Sequence, residues 1–216
     1  MADVAQPPCI YVLAGTNGAG KSSIGGAMLL QRGVEYFDPD EAARLIVSAN
    51  PGLTQIEGNS AAWHEGKRLL ERAIAERLNF AFETTLGGHT ITALLDRALA
   101  EGIEVRVFYV GLSSPELHIA RVRSRVRRGG HDIPEATIRA RYERSRLNLI
   151  DLLPKLTELR VYDNTKDADP FTGRAPEPTL LVHLARGAIV SSCDLRLMPA
   201  WAKPIMAAAF RSASRR

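Results

Sequence analysis

A glycine-rich segment near the N-terminus constrains this chain more than any other feature. It fits the pattern G-x-x-x-x-G-K-[ST], in which main-chain amides at a helix N-terminus surround a phosphate chain. An apolar segment, 10–14, precedes it as a buried strand would, and 23–31 carries apolar residues at helical spacing. This strand, loop and helix context disfavours a glycine turn that binds nothing. The predicted phosphate-binding residues are Gly15, Thr16, Asn17, Gly18, Ala19, Gly20, Lys21, Ser22 and Ser23.

The residue types in this segment fit ATP and Mg²⁺ as cofactors. Glycine tolerates positive φ and lets a ligand approach the backbone without a Cβ in the way. Lys21 would place its charge on the β- and γ-phosphates. Ser22 would give an oxygen to Mg²⁺. We therefore predict a nucleotide site built on this loop.

Composition indicates one soluble domain, 1–216, of ordinary hydrophobicity. No apolar run reaches the roughly 18 residues of a membrane span, and 1–8 lacks the basic start of a signal peptide. Cys9 and Cys193 have no motif spacing, which favours a reducing, cytoplasmic compartment. A net charge of +4 is too mild to indicate nucleic-acid binding by itself.

Apolar strand patterns alternate with amphipathic helical ones along the chain. This alternation predicts an α/β fold of the P-loop NTPase type, a three-layer sandwich with a mostly parallel sheet. The predicted strands are 10–14, 34–37, 80–82, 105–110 and 159–163, followed by a hairpin of 180–184 and 188–190, while the main helices are 60–78, 90–100 and a C-terminal helical tail at about 197–216.

Two aspartates follow the second predicted strand. Ligands of open α/β sheets bind outside the carboxyl ends of the strands, so Asp40, with Asp38 behind it, is a candidate substrate-binding residue and general base for an acceptor hydroxyl. Aspartate is also a favoured helix N-cap, and a helix starts here. The sequence leaves both interpretations open, with Asp40 the stronger candidate for catalysis.

A short apolar strand ends in Glu83, Thr84 and Thr85. A carboxylate that closes a buried strand beside a phosphate loop is well placed to orient Mg²⁺ or its water. The alternative is a solvated strand-end carboxylate with a capping threonine. We predict that Glu83 serves as metal ligand and, with both threonines, as substrate contact.

Arginine is concentrated in one segment. Between 121 and 146 there are nine arginines, and Arg121, Arg125 and Arg128 share one helix face. Gly129-Gly130 breaks this helix before His131, a further candidate substrate contact. We predict an arginine-rich helical lid, about 117–150, whose guanidinium groups stabilise a transferring phosphoryl group. A solvated basic face and an RNA-binding surface are the alternatives, and the single interleaved aromatic residue, Tyr142, argues against RNA.

Taken together, these motifs resemble the zeta-toxin kinases, in particular their stand-alone branch, sometimes labelled predicted ABC-type ATPases. The resemblance extends over about 10–190. It rests on the phosphate loop and on the segments Phe37-Asp38-Pro39-Asp40-Glu41-Ala42-Ala43, Phe80-Ala81-Phe82-Glu83-Thr84-Thr85-Leu86, Arg121-Val122-Arg123-Ser124-Arg125-Val126, Gly129-Gly130-His131-Asp132-Ile133-Pro134 and Tyr162-Asp163-Asn164.

The resemblance implies a kinase that uses ATP to phosphorylate a nucleotide-activated amino sugar, typically UDP-N-acetylglucosamine at its 3′-hydroxyl. It implies that Asp40 activates the acceptor, that Glu83 and Thr85 contact it, and that two of the arginines at 121, 125 and 128 bind phosphate. It also raises a small helical antitoxin as a candidate partner protein. An ATP-driven switch and a polynucleotide 5′-end kinase remain as alternatives from other functional classes.

Overall fold

Strand β1, Cys9–Ala14, lies inside the sheet, as the third of its seven strands. Its neighbours are β3 (Phe80–Thr84) and β4 (Glu104–Gly111), both parallel to it. A computed structural model describes residues 7–21, 34, 36–166 and 177–214, so the helix predicted after the phosphate loop lies outside the described residues. Because β1 has strands on both sides, the loop that follows it emerges at the centre of one sheet edge.

Seven strands form one sheet in the order β2-β3-β1-β4-β5-β6-β7. The first five are parallel, and the last two pair antiparallel as the predicted hairpin. The remaining strands are β2 (Tyr36–Phe37), β5 (Glu158–Asp163), β6 (Thr179–Ala185) and β7 (Ala188–Ser192). The helices are α1 (Pro39–Ala49), α2 (Gln55–Ala75), α3 (His89–Ala100), α4 (Pro115–Val126), α5 (Glu135–Leu152) and α6 (Lys203–Ala213), with a 3₁₀ turn at Leu153–Lys155.

Side chains of β1 alternate between the two faces of the sheet. Val12 belongs to a large hydrophobic cluster with Leu95 and Leu149, whereas Leu13 belongs to a second cluster with Phe108. A strand buried on both faces reads as continuously apolar, which is why this segment was recognisable from its sequence. The predicted α/β class with a mostly parallel sheet is confirmed.

Several predicted boundaries were wrong. The helix expected over 60–78 is Gln55–Ala75, because Thr54 and Glu57 form a capping box that starts it earlier. The second strand, expected over 34–37, is Tyr36–Phe37. The C-terminal helix begins at Lys203 rather than near 197, with Pro204 in its first turn, where proline is favoured.

Within the described ranges, no helix combines the length and the apolar character needed to cross a lipid bilayer.

Candidate functional site

The phosphate loop has the backbone that its glycines predict. Gly15, Gly18 and Gly20 all have positive φ, at 144°, 80° and 86°. A Cβ on Gly15 would stand 2.2 Å from the carbonyl oxygen of Val110, and one on Gly18 would stand 2.7 Å from that of His118. Both contacts are with backbone atoms, which cannot move aside. Glycine is therefore required by conformation and by space at both positions.

Lys21 turns back over the loop. Its ammonium group donates a hydrogen bond to the carbonyl oxygen of Gly15 (2.9 Å) and lies 3.9 Å from a carboxylate oxygen of Glu83. Burial lowers the pKa of Lys21, and the nearby carboxylates, Glu83 first and then Asp40, oppose that shift. The charge thus sits beside the positive-φ glycines, where a phosphate chain would meet it.

Glu83 lies on the strand next to the phosphate loop and is 7% exposed. The hydroxyl of Tyr36, on the neighbouring strand β2, donates a 2.6 Å hydrogen bond to one oxygen of this carboxylate. Burial and this hydrogen bond to the carboxylate raise the pKa of Tyr36. One Glu83 oxygen is thereby held by Tyr36, while the other faces Lys21. Tyr36 was not singled out from the sequence, since a tyrosine in a strand is ordinary.

The two aspartates after β2 have different surroundings. The Asp38 carboxylate accepts hydrogen bonds from the amides of Asp40 (2.9 Å) and Glu41 (3.4 Å), so it is the N-cap of α1. Asp40 is 58% exposed and pairs with Arg125 at 3.1 Å. The structure thus places Asp38 in the capping position that the sequence left open and leaves Asp40 facing the lid.

The three arginines predicted to act together have separate contacts. Arg125 reaches Asp40 with one nitrogen and donates to the carbonyl oxygen of His131 with another (3.0 Å). Arg121 donates to the carbonyl oxygens of Thr165 and Lys166, beyond β5. Arg128 contacts Ser124 one turn back. All three line one depression, although α4 ends at Val126 and Arg128 therefore lies beyond the helix whose face it was predicted to share. Arg125 is the one paired with a predicted site residue.

Arg141 is a lid arginine that contacts the phosphate loop, and it was not singled out from the sequence. It donates a 2.8 Å hydrogen bond to the side-chain oxygen of Asn17, and burial lowers its pKa. A signal was available, because Arg141 shares the inward face of α5 with the buried residues Ile138 and Ser145. An arginine on a buried helix face calls for an anionic or polar partner.

His118 is a second missed residue. It is 1% exposed and lies on α4, where its Nδ1–H donates to the Asn17 carbonyl oxygen (2.8 Å). Burial lowers the pKa of His118 to about 4. Asn17 therefore links the loop to both lid helices, through its main chain to α4 and through its side chain to α5.

Asn164 supports the loop from the other side. Asn164 directly follows β5, and its side-chain amide donates a hydrogen bond to the carbonyl oxygen of Ala19 (2.8 Å). A Cβ on Gly20 would lie 2.5 Å from that amide nitrogen. The loop is thus fixed by hydrogen bonds from the lid helices and from the end of β5. These bonds make it rigid, as a preorganised anion site needs to be.

A cleft of about 480 Å³ opens beside this loop. Its walls come from the end of β3, one side of α2, the starts of α1 and α3, helix α5 and the segment that joins the two lid helices. It brings together six of the predicted site residues: Asn17, Asp40, Glu83, Thr84, Thr85 and His131, together with Arg141. At its mouth, His131 Nε2 lies 3.2 Å from the side-chain amide of Asn59 on α2. The cleft thus reaches from the phosphate loop to α2.

Metal binding was predicted at Ser22 and Glu83. Ser22 and Ser23 lie outside the described residues. In the described part of the chain, no group of three or more histidine, cysteine, aspartate or glutamate side chains could hold a metal ion. Mg²⁺ in phosphoryl-transfer sites needs one or two protein oxygens and takes the rest from phosphates and water. The Glu83 carboxylate beside Lys21 has the chemistry for that role.

Comparison with protein families matches this chain to one family model. The family model described as Zeta toxin matches residues 2–171. An uncharacterised protein of Haemophilus influenzae Rd is 34% identical over 129 residues, which is 59% of this chain and 88% of that protein.

Solved structures share the fold at low identity. A chain of the AvrRxo1-ORF1:ORF2 structure with ATP has a TM-score of 0.63 and 14% identity over 96% of this chain, which spans 65% of that longer chain. A structure of the PezAT chromosomal toxin–antitoxin system of Streptococcus pneumoniae has a TM-score of 0.53 and 14% identity over 98% of this chain and 87% of that one. The family match covers most of the sequence and includes the loop, the cleft and the lid, so the chain belongs to the zeta-toxin family of P-loop kinases.

Proposed function

We propose that this chain transfers the γ-phosphoryl group of ATP to a hydroxyl of a small molecule, and that the acceptor is a nucleotide-activated sugar similar to UDP-N-acetylglucosamine. The observation that carries the proposal is the cleft, in which Asp40 and Arg141 share one space with Asn17 of the phosphate loop. The acceptor class follows from the family resemblance. We further propose that 1–216 acts as one kinase domain.

In this proposal the phosphate loop holds the donor. The amides around Gly15, Gly18 and Gly20 bind the phosphate oxygens, and Lys21 exchanges the Gly15 carbonyl oxygen for the β- and γ-phosphates. Glu83 and Ser22 are the residues that would hold Mg²⁺, which shields phosphate charge when it is bound. Tyr36 keeps one Glu83 oxygen in place.

Asp40 is the proposed general base. As the acceptor oxygen bonds to the γ-phosphorus, the hydroxyl proton passes to the Asp40 carboxylate and the bond to the β,γ-bridging oxygen breaks, which releases ADP. The Arg125 ion pair occupies Asp40 in this structure. Such an exposed pair contributes about 1 kcal/mol or less, so a bound substrate can displace it.

Arg125 and Arg141 are the proposed phosphate-binding arginines. Arg125 is beside Asp40, and Arg141 is beside the loop. A guanidinium group that leaves Asp40 or Asn17 for the γ-phosphate would neutralise the charge of the phosphoryl group in transit. An antitoxin is a candidate partner, supported by the fold shared with the PezAT system.

The test compares two neighbouring aspartates. Incubation of γ-labelled ATP with a panel of nucleotide sugars should label one of them with the wild type and none with Lys21→Ala. Asp40→Asn should keep ATP affinity and lower turnover about 100-fold or more. Asp38→Asn is the matched control, because asparagine caps helices as well as aspartate does, so its turnover should stay near wild type.

Two outcomes would contradict the proposal. Near-normal turnover by Asp40→Asn would remove Asp40 as the base. Consumption of ATP without labelling of any acceptor in the panel would favour a nucleotide-driven switch over a kinase of this substrate class.

A further inference from the structure

One aromatic side chain in the cleft has no part in the proposed phosphoryl transfer. Trp63, on α2, lines the cleft and is 42% exposed. The ring of His64 contacts it edge-on, with centroids 4.9 Å apart and planes at 82°. Tryptophan has a large apolar surface, and exposure within a concave site indicates that a ligand covers it.

A cationic side chain lies one turn further along the same face. Lys67 also lines the cleft, and its ammonium group pairs with Glu71 at 2.8 Å on the same helix. This pair is partly exposed and spaced i,i+4, a type that contributes only about 0.3–0.5 kcal/mol. Lys67 can therefore turn to an anion in the cleft at little cost. Side chains four apart on a helix stand roughly 6 Å from each other, about the distance from a nucleobase to its first phosphate.

Packing fixes the direction of this face. Gly66, between the two residues, lies against Phe37 of β2, where a Cβ would stand 2.6 Å from the phenyl ring. Ala62, one turn before Gly66, is fully buried. Small residues let α2 lie directly on the strand, which holds Trp63 and Lys67 toward the cleft.

We propose that Trp63 stacks on a planar ring of the acceptor and that Lys67 binds an anionic group of the same molecule. α2 then selects acceptors that join an aromatic ring to a phosphate, as a nucleotide does. The proposal rests on the proposed function in taking the cleft as the acceptor site. It goes further in assigning recognition of the ring and the phosphate to two named residues.

The main alternative is a protein partner that covers Trp63. Ile56, the other strongly exposed apolar residue at the start of α2, is 80% exposed and does not line the cleft. Trp63 is instead flanked in the cleft by polar groups, namely the Asn59 amide and the Lys67 ammonium. That mixture suits a small polar ligand better than an apolar protein surface.

Tryptophan fluorescence reads the site directly. The second tryptophan, Trp201, is 3% exposed and donates its indole N–H to Asp163, so it supplies a constant background. The full chain, saturated with a non-hydrolysable ATP analogue, is titrated with UDP-N-acetylglucosamine, uridine and N-acetylglucosamine 1-phosphate. The first two should quench the emission, and the first should bind most tightly because it offers both ring and phosphate.

The variants separate stacking from charge. Trp63→Leu should weaken UDP-N-acetylglucosamine binding roughly tenfold or more, measured by calorimetry, and leave the affinity for N-acetylglucosamine 1-phosphate unchanged. Trp63→Phe keeps a flat ring, so its affinity for the nucleotide sugar should lie between those of wild type and Trp63→Leu. Lys67→Gln should weaken binding of the nucleotide sugar but not binding of uridine. Glu71→Gln removes only the ion-pair partner of the lysine, so it should weaken binding of neither ligand. Ile56→Ala is the control for an apolar deletion on the same helix.

The results distinguish this inference from the proposed function. Equal affinity of wild type and Trp63→Leu for the nucleotide sugar overturns the inference even if phosphoryl transfer is observed, and leaves a protein partner as the occupant to seek. Loss of ring discrimination in Trp63→Leu supports it even if no compound in the panel is phosphorylated, in which case the proposed function fails alone.

Discussion

His118, which links the phosphate loop to the lid, is a buried histidine whose charged form is disfavoured by that burial. The neutral ring donates from Nδ1 to the Asn17 carbonyl oxygen inside a buried site. Burial lowers the pKa of His118 to about 4, against about 6.5 in an unfolded chain. Between these values the unfolded state binds a proton that the folded state excludes, so folding stability falls as pH falls from about 6.5 to 4.

Through this residue, we expect the fall in pH from about 6.5 to 4 to lower the free energy of unfolding by on the order of 3 kcal/mol. Urea denaturation of wild type and His118→Asn at several pH values measures it, since asparagine keeps a donor and does not titrate. The variant should lose less stability than wild type between pH 6.5 and 4. Parallel stability curves for the two proteins would show that His118 titrates normally in the folded state.

At the scale of elements, the contacts of the lid distinguish two neighbouring arginines. Arg139 and Arg141 are two residues apart on α5, yet Arg139 pairs with Glu116 at the surface while Arg141 reaches Asn17. The geometry of the guanidinium fork is not reproduced by lysine. We expect Arg141→Lys to lower turnover about 100-fold with a small change in ATP affinity, whereas Arg139→Lys stays within about twofold.

Steady-state kinetics with ATP and the labelled acceptor, together with nucleotide binding by calorimetry, measure both variants. A loss shared equally by Arg139→Lys and Arg141→Lys would mean that the lid acts through its net charge rather than through the Asn17 contact.

The lid also shows what the sequence can and cannot predict. The loop, the strands and the arginine-rich helices were predicted because each leaves a local pattern of spacing or composition. The choice among nine arginines was not predicted, since it depends on how α5 is rotated against the loop, and that rotation follows from the packing of Ile138 and Ser145. The Tyr36–Glu83 contact joins residues 47 apart, and no local pattern marks it.

At the scale of the whole molecule, the C-terminal segment is part of the core although the family match ends at residue 171. Trp201 is 3% exposed, its ring lies against Gly111 of β4, and its indole N–H donates to Asp163 of β5. Ile205 and Ala209 on α6 are fully buried in the same cluster. The segment predicted as a helical tail therefore closes one face of the sheet next to the strands that carry the site.

We expect Trp201→Ala to lower the free energy of unfolding by about 3–5 kcal/mol, because it leaves a cavity and removes the hydrogen bond to Asp163. Phe210→Ala on the same helix should cost about 1 kcal/mol, since Phe210 is 46% exposed. A chain that ends at residue 176 would lose β6, β7 and α6 together and should not unfold cooperatively. Thermal unfolding by circular dichroism compares the three with wild type, and a cooperative transition in the shortened chain would show that the part matched by the family model folds on its own.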